Sequence, residues 1–342
     1  MMNIEIKTCS FRAALKGILF IAIVALLLGV SSGVAIAELV WENGEYRIYT
    51  SADLEVMSGW VNNMHSADVK YRLMEDIDLD GMDIPWLPIG ANSATSFNGE
   101  FNGGRHAIRN FVISRDADWI GLFGVVSSDA KISDLRVISF DVRGQRCAGG
   151  LIGYNEGTIS TSYASGAVNG NELVGGLVGD NSGTIITSYA SVAVNGYWYV
   201  GGLVGRNEST VSRSYASGTV SGVFHIGGLV GWNEGTISAS YANGAVSGFR
   251  DIGGLAGRNN KGTINSSYAI GTVNGKNEYI GGLVGNNYEG IINTSYASGM
   301  TIGDAGVGGL VGGESSRNNR HQLCKRCGQR RLESRWPCRV KL

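Results

Sequence analysis

Residues 175–200 read GGLVGDNSGTIITSYASVAVNGYWYV, and this stretch decides the fold because it recurs along much of the chain. Its opening block, Gly-Gly-Leu-Val-Gly or a close variant, has its first glycine at 149, 175, 201, 227, 253, 281 and 308, at spacings of 26 to 28 residues. A second block, Ser-Tyr-Ala, begins at 162, 188, 214, 240, 267 and 295. Self-similarity at such a period is typical of a solenoid, in which each repeat forms one coil.

Each repeat contains short β-prone segments separated by glycine and asparagine, without the spacing of an amphipathic helix. We expect three short strands per coil, hydrogen-bonded to neighbouring coils at a rise of about 4.8 Å. Paired glycines then let the chain turn a corner without a Cβ clash. Apolar residues at equal positions form two columns, namely Leu151, Leu177, Leu203, Leu229, Leu255, Leu283 and Leu310, and Ile159, Ile185, Val211, Ile237 and Ile264.

Asparagine occupies one turn position in successive repeats, at 155, 181, 207, 233, 259 and 287. Asparagine tolerates the left-handed backbone conformation, so we expect that conformation there. Stacked side-chain amides can also hydrogen-bond from one coil to the next. The sequence therefore predicts an asparagine ladder along the solenoid.

Composition supports a β-rich exported protein. The chain has 53 glycines and only 3 prolines, which suits many tight turns and uninterrupted sheet ladders. Residues 38–313 carry 16 Lys and Arg against 26 Asp and Glu, a net charge of −10. An acidic body argues against nucleic acid and anionic membrane as partners, because phosphate binding needs a basic surface.

The first 37 residues have the pattern of a signal peptide. Lys7, Arg12 and Lys16 precede the apolar run 17–28, and Ala35-Ile36-Ala37 supplies a cleavage site before Glu38. An uncleaved N-terminal anchor is the alternative interpretation. We expect a secreted or cell-surface protein that is not inserted in the membrane after cleavage.

The consensus Gly-Gly-Leu-Val-Gly-x-Asn-x-Gly-Thr-Ile-x-x-Ser-Tyr-Ala, across residues 149–313, resembles the GLUG repeat. That repeat occurs in bacterial adhesin-like surface proteins and in non-catalytic parts of the immunoglobulin A protease family of metallopeptidases. Residues 38–148 resemble the segment that often precedes such repeats, for example at Phe97-Asn98-Gly99-Glu100-Phe101 and Gly121-Leu122-Phe123-Gly124. The resemblance implies a right-handed parallel β-helix and an adhesin-like role.

We divide the chain into a signal peptide (1–37), an N-terminal cap with irregular first coils (38–148), a repeat solenoid (149–313) and a basic tail (314–342). In the cap, Thr50 or Ser51 can begin a short helix that runs to about Asn62, with Asp53 in its first turn. An amphipathic helix there would cover the open sheet edge at the end of a solenoid.

The tail carries 9 basic and 2 acidic residues and lacks the repeat. A plain basic tail and a zinc site formed by His321, Cys324, Cys327 and Cys338 are two interpretations. We favour a third, a frameshift. A shift of one nucleotide permits Ser-Tyr-Ala-Ser-Gly-Ala-Val-Asn at 322–329 and Gly-Gly-Leu-Val-Gly at 335–339, each 27 residues after its last in-frame copy. We therefore expect a disordered tail without function or metal.

The sequence lacks the usual catalytic motifs. None of its histidines begins His-Glu-x-x-His, and it contains no P-loop. Glu156, Glu208 and Glu234 share one turn position and are interpreted as solvated residues rather than a glycosidase pair. The lone body cysteine, Cys147, is expected to be buried. We predict no enzyme activity and no cofactor.

Aromatic residues suggest two contact surfaces. The tyrosines of the Ser-Tyr-Ala blocks form either a stabilising ladder, which we favour, or a platform for sugars. The variable tips between repeats offer a better contact surface. The candidate residues there are Tyr197, Trp198, Tyr199, Phe224, Phe249 and Tyr279. The expected partner is an extracellular glycan or a protein of a host or neighbouring cell, and the alternative function is a carbohydrate-active β-helix enzyme of lyase or glycosidase type.

Overall fold

A computed structural model describes residues 39–64, 67–80 and 86–314. This part of the chain is an all-β, right-handed solenoid of about 10 coils with one short helix near its start. The predicted fold class is therefore confirmed. The proposed signal peptide (1–37) and residues 315–342 of the basic tail lie outside the described residues.

Each regular coil contributes strands to four sheets, so the expected number of three was wrong; from Tyr215 on, the strand in the fourth sheet is divided into two segments. In one coil these strands are Arg146–Gly149, Ile152–Asn155, Thr158–Ser160 and Tyr163–Asn169. The strand that ends at Gly149 begins with variable tip residues, and in the later coils a recurrent Val or Ile precedes its glycine. The glycine pair thus has a strand on each side.

Parallel stacking of equivalent strands forms four sheets, numbered here in the order in which a coil visits them. Sheet 1 contains Asp118–Ile120, Arg146–Gly149, Glu172–Gly175, Trp198–Gly201, Phe224–Gly227, Arg250–Gly253, Ile280–Gly281 and Val307–Gly308. Sheet 2 contains Phe123–Val126, Ile152–Asn155, Val178–Asn181, Val204–Asn207, Val230–Asn233, Ala256–Asn260, Val284–Tyr288 and Val311–Glu314.

Sheet 3 contains Val40–Glu42, Glu45–Ile48, Ala67–Leu73, Asn98–Asn102, Lys131–Ser133, Thr158–Ser160, Thr184–Ile186, Thr210–Ser212, Thr236–Ser238, Thr263–Asn265 and Ile291–Asn293. Sheet 4 contains Ile77–Asp78, Ala107–Arg109, Val112–Ser114, Arg136–Arg143, Tyr163–Asn169, Tyr189–Asn195, Tyr215–Ala216, Val220–Ser221, Tyr241–Ala242, Val246–Gly248, Tyr268–Ala269, Val273–Gly275, Tyr296–Ala297 and Thr301–Ile302.

Strand register keeps identical repeat positions next to each other. Ile159 pairs with Ile185, for example, and Tyr163 with Tyr189. The described pairs between strands are parallel except for the hairpin of Val40–Glu42 with Glu45–Ile48, which lies at the first edge of sheet 3.

The two predicted apolar columns form the core. The leucine column is buried from Leu151 to Leu310, and the isoleucine and valine column is buried over its whole predicted length. The glycine pairs have the expected steric role, because a Cβ on Gly201 would collide with the carbonyl oxygen of Val204. Only glycine permits that approach at the corner between sheets 1 and 2.

The asparagine ladder exists, but its backbone conformation differs from the prediction. Asn155 to Asn287 are buried, and each Nδ2 donates to Oδ1 of the next asparagine at 2.8–2.9 Å. These residues lie at or one residue before the end of strands of sheet 2, and none has a positive φ. Other positions take the left-handed conformation, among them Thr161, Thr187 and Arg213 in the turn after sheet 3.

The predicted N-terminal helix spans Ser51–Met64. Thr50 is its N-cap, since Oγ1 of Thr50 accepts from the Asp53 amide at 3.2 Å and Asp53 Oδ2 accepts from the Thr50 amide at 2.9 Å. Leu54, Met57 and Val61 are buried in the core. No helix in the described part of the chain is long and apolar enough to cross a membrane.

Candidate functional site

The variable tips lie at the start of the sheet 1 strands. Glu172, Trp198, Phe224 and Arg250 are paired in consecutive coils. The residue after each of them has no paired residue in the register of the neighbouring strand and has a positive φ, as at Tyr199 (55°) and His225 (58°). The left-handed residue turns its side chain away from the strand's regular alternation without a shift of register, and we call this place the bulge position.

Four of the predicted contact residues come together in what we call the coil-edge strip: Tyr197, Trp198, Phe224 and Phe249. Trp198 and Phe224 stack with ring centroids 4.2 Å apart and planes 18° apart. Tyr197 and Phe249 meet Phe224 edge to face at 5.7 and 6.0 Å. Tyr197 and Phe249 are 45% and 41% exposed, so the strip presents aromatic surface to solvent.

The other two predicted contact residues lie elsewhere. Tyr199 occupies the bulge position, where it stacks on His225 at 5.2 Å and meets Trp232 edge to face at 5.1 Å. Burial raises the pKa of the Tyr199 phenol. Tyr279 occupies the same position three coils later, under the guanidinium of Arg250 at 5.3 Å.

These bulge residues belong to a site that the sequence analysis missed, which we call the groove. It is the outer corner between sheets 1 and 2 and consists of two rows of side chains. One row is Cys147, Leu173, Tyr199, His225, Asp251 and Tyr279, and the other is Tyr154, Asp180, Arg206, Trp232, Arg258 and Asn286. The signal was present in the sequence. The residue between glycine and asparagine in Gly-x-Asn changes from coil to coil while its neighbours do not.

Ion pairs organise one half of the groove. Arg206 binds Asp180 on the preceding coil through two hydrogen bonds of 2.6 and 3.0 Å and also lies 2.8 Å from Glu208. The hydrogen bond to Asp180 raises the pKa of Arg206, while burial raises the pKa of Asp180. Because the contact is bidentate, we describe this pair as ionised.

The other half of the groove holds a histidine–aspartate pair among aromatic rings. Nδ1 of His225 lies 2.8 Å from Oδ2 of Asp251, and both residues are buried. The guanidinium of Arg258 lies over the ring of Trp232 at 4.8 Å and over that of Tyr288 at 5.2 Å. These contacts hold Trp232 in a fixed position beside Tyr199.

A small open cavity of about 160 Å³ lies in the groove. Tyr199 and Trp232 contribute aromatic surface, and Leu173 contributes apolar surface. Glu172, Glu234, Arg146 and Arg206 supply the charged lining. Leu173 is almost fully buried and four of the seven lining residues are charged, so the cavity is more polar than the usual small-molecule site.

The turn glutamates do not form an isolated carboxylate pair. Glu156, Glu208 and Glu234 are exposed and accept hydrogen bonds from Tyr154 (3.1 Å), Ser182 (3.0 Å) and Asn260 (2.7 Å), respectively. Their exposure supports their interpretation as surface turn residues.

The tyrosines of the Ser-Tyr-Ala blocks lie in one row on sheet 4 and form a stacked ladder. From Tyr189 to Tyr296 successive centroids are 4.8–5.1 Å apart and successive planes differ by 8° or less. Each inner ring covers the face of its neighbour, so the ladder presents ring edges rather than free faces. This geometry favours a stabilising role over a sugar platform.

Within the described residues, no group of three or more His, Cys, Asp and Glu side chains could hold a metal ion. The zinc ligands considered for the tail lie in 315–342, outside the described residues. Cys147 is buried as predicted, and desolvation raises its pKa to about 12. The thiol is therefore neutral at physiological pH.

Comparison with known proteins identifies the repeat. Residues 144–169, 196–221 and 276–303 match the family model of the GLUG motif, so the predicted repeat type is confirmed. The chain is 33% identical over 170 residues to a candidate Gly-rich membrane protein of Evansella cellulosilytica, and 32% identical over 127 residues to Halomucin of Haloquadratum walsbyi. These matches cover 45% and 35% of this chain but only 18% and 1% of the two relatives.

A solved structure shares the architecture. The crystal structure of a candidate immunoglobulin A1 protease from Bacteroides ovatus superposes with a TM-score of 0.54 at 21% identity, covering 80% of this chain and 84% of that one. At this level of identity the similarity shows the fold alone. The chain thus carries GLUG-motif repeats on a fold that it shares with this structure.

Proposed function

We propose that the protein is a non-enzymatic, exported scaffold of the cell surface that binds an extracellular glycan or protein through the coil-edge strip. The observation that carries this proposal is the contiguous strip of Tyr197, Trp198, Phe224 and Phe249, in which Tyr197 and Phe249 are exposed and the other two rings are half-buried. Exposed aromatic clusters on variable loops are typical of binding surfaces, where Trp and Tyr contribute much of the affinity.

The scaffold beneath the strip is rigid. The sheet 1 strands that carry the strip are bonded to a neighbour on both sides, and the buried asparagine ladder links successive coils on sheet 2. A rigid support lowers the entropy lost when aromatic side chains bind a partner. Export is supported by the predicted signal peptide and by the names of the two relatives, one a membrane protein and the other Halomucin.

Adhesion tests the proposal. A variant with Tyr197, Trp198 and Phe224 replaced by alanine should keep its β-rich far-UV spectrum but bind cells and arrayed glycans at least about tenfold more weakly. Tyr49→Ala is the matched control, since Tyr49 is 40% exposed and lies away from the strip. Unchanged binding by the triple variant would reject the strip as the contact surface.

A carbohydrate-active enzyme is the second candidate, and the His225–Asp251 pair is the observation that favours it. A carboxylate beside one imidazole nitrogen can orient the ring for general base catalysis. Incubation with neutral and uronate polysaccharides should then release new reducing or unsaturated ends, and His225→Ala should abolish that release. Product formed equally by His225→Ala would exclude the pair as catalytic.

A further inference from the structure

Two stacks of rings end at the same coil, and the groove cavity lies at their end. Phe224 stacks on one face of Trp198, and His225 stacks on one face of Tyr199. In the preceding coil the positions equivalent to Trp198 and Tyr199 hold Glu172 and Leu173, which carry no ring. The surface therefore has a step, and the cavity of about 160 Å³ opens there.

The apolar part of this cavity is preformed. Leu173 is buried, and the Tyr199 ring is fixed by His225 on one face and by Trp232 at its edge. The exposed part of the fixed Tyr199 ring complements the C–H face of a pyranose ring, because aromatic side chains combine a broad apolar face with a polar tip.

The polar part favours a neutral ligand. Both arginines of the lining already have anionic partners, Arg146 with Glu172 at 3.8 Å and Arg206 with Asp180 at 2.6 Å. The carboxylate of Glu234 accepts from Asn260 Nδ2 through only one of its oxygens in the described structure. Glu172 and Glu234 can therefore accept hydrogen bonds from sugar hydroxyls. The carboxylate of Glu234, which forms no ion pair within the described residues, would in addition repel a uronate or sialate carboxylate.

We propose that the cavity binds one residue of a neutral saccharide chain, with its ring against Tyr199 and its hydroxyls donating to Glu172 and Glu234. This inference rests on the proposed function, since it names the ligand class and adds a contact beside the coil-edge strip. The cavity is smaller than the roughly 300–1,000 Å³ of sites that enclose drug-sized ligands. It accordingly accommodates a single ring, and the rest of the chain extends along the groove.

Calorimetric titration of the full chain tests the site, with mannohexaose, cellohexaose, xylohexaose and hexagalacturonate as the probes. At least one neutral hexasaccharide should bind with one site per chain, and hexagalacturonate should not bind. Tyr199→Ala should weaken that binding at least about tenfold, while Tyr199→Phe, which keeps the ring, should stay within about threefold. Tyr49→Ala, outside the groove, should equal the wild type.

Charge removal gives an independent test. The double variant Glu172→Gln and Glu234→Gln should gain binding of hexagalacturonate, because Glu234 no longer repels it and Arg146 loses its anionic partner. The proposal is overturned if no neutral hexasaccharide binds, if Tyr199→Ala binds like the wild type, or if the wild type prefers hexagalacturonate. Cell adhesion that depends on the coil-edge strip, in a protein without saccharide binding, would reject this site alone and leave the proposed function in place.

Discussion

Asn181 donates a hydrogen bond from Nδ2 to Oδ1 of Asn207, which lies 2.8 Å away on the next coil. The same Nδ2 donates to the carbonyl oxygen of Gly183 at 3.0 Å. Each interior asparagine of the ladder thus donates to one backbone carbonyl and to the amide oxygen of the next asparagine, and accepts from the amide nitrogen of the preceding one. Because these groups are buried, the ladder is sensitive to the loss of any member.

The first prediction concerns this ladder. Asn207→Leu should destabilise the protein by about 2–5 kcal/mol, because Oδ1 of Asn233 and the carbonyl of Ser209 lose their donor in a buried site. Chemical unfolding would measure the change. Asn243→Leu is the control at an exposed position and should cost less than about 0.5 kcal/mol. Equal costs for both variants would contradict the role of the ladder.

The second prediction compares the core with the turn. Leu229→Asp should cost about 3–5 kcal/mol or prevent folding, since Leu229 is fully buried in the leucine column and a carboxylate would have no partner there. Glu234→Gln should change stability by less than about 0.5 kcal/mol, because Glu234 is exposed. Thermal melting measures both variants. A lower melting temperature for Glu234→Gln than for Leu229→Asp would show that the buried and exposed positions were assigned wrongly.

The third prediction concerns backbone strain. Thr187 is exposed and has a φ of 52°, which is unfavourable for a β-branched residue. Thr187→Asn should stabilise the protein by about 1 kcal/mol, because asparagine adopts the left-handed conformation more readily. Thr184→Asn, in the regular strand Thr184–Ile186, should give no gain. A higher melting temperature for the Thr184 variant than for the Thr187 variant would refute this explanation.

The fourth prediction is a loss of stability in alkali. Burial raises the pKa of Cys147 to about 12 and also raises the pKa of Tyr199, Tyr215 and Tyr268. The folded state therefore favours the neutral forms of these groups. Their contribution is complete below the unfolded pKa values, about 8.5 for a thiol and about 10 for a phenol, and declines as pH rises towards 12.

Unfolding by urea at pH 8, 9, 10 and 11 measures this effect. The midpoint should fall across the series, and Cys147→Ala should show a smaller fall than the wild type. Iodoacetamide at pH 8 should alkylate Cys147 only after unfolding, since thiolate is the reactive form. A midpoint that rises with pH would contradict the assigned directions.

The sequence predicted those features in which the same residue type recurs at the same position of successive coils. Leu229 could be placed in the core because leucine recurs at that position in every coil, and Asn207 in the ladder for the same reason. The groove was not predictable in this way. Tyr199 and Trp232 stand at variable positions in different blocks, and the left-handed backbone at Tyr199 directs its ring to the neighbouring sheet. The alternation rule for strands cannot anticipate such a residue.

The in-register stacking of equal positions also bears on how such a gene can evolve. Val174, Val200 and Ile226 occupy one ladder position, and each is followed by a glycine pair. Unequal recombination between two repeats that removes residues 201–226 would join Val200 to Gly227, which preserves every junction that the fold uses. Whole coils can therefore be lost or duplicated without an intermediate that fails to fold. Selection can then act on the number of coils and on the tip sequences independently.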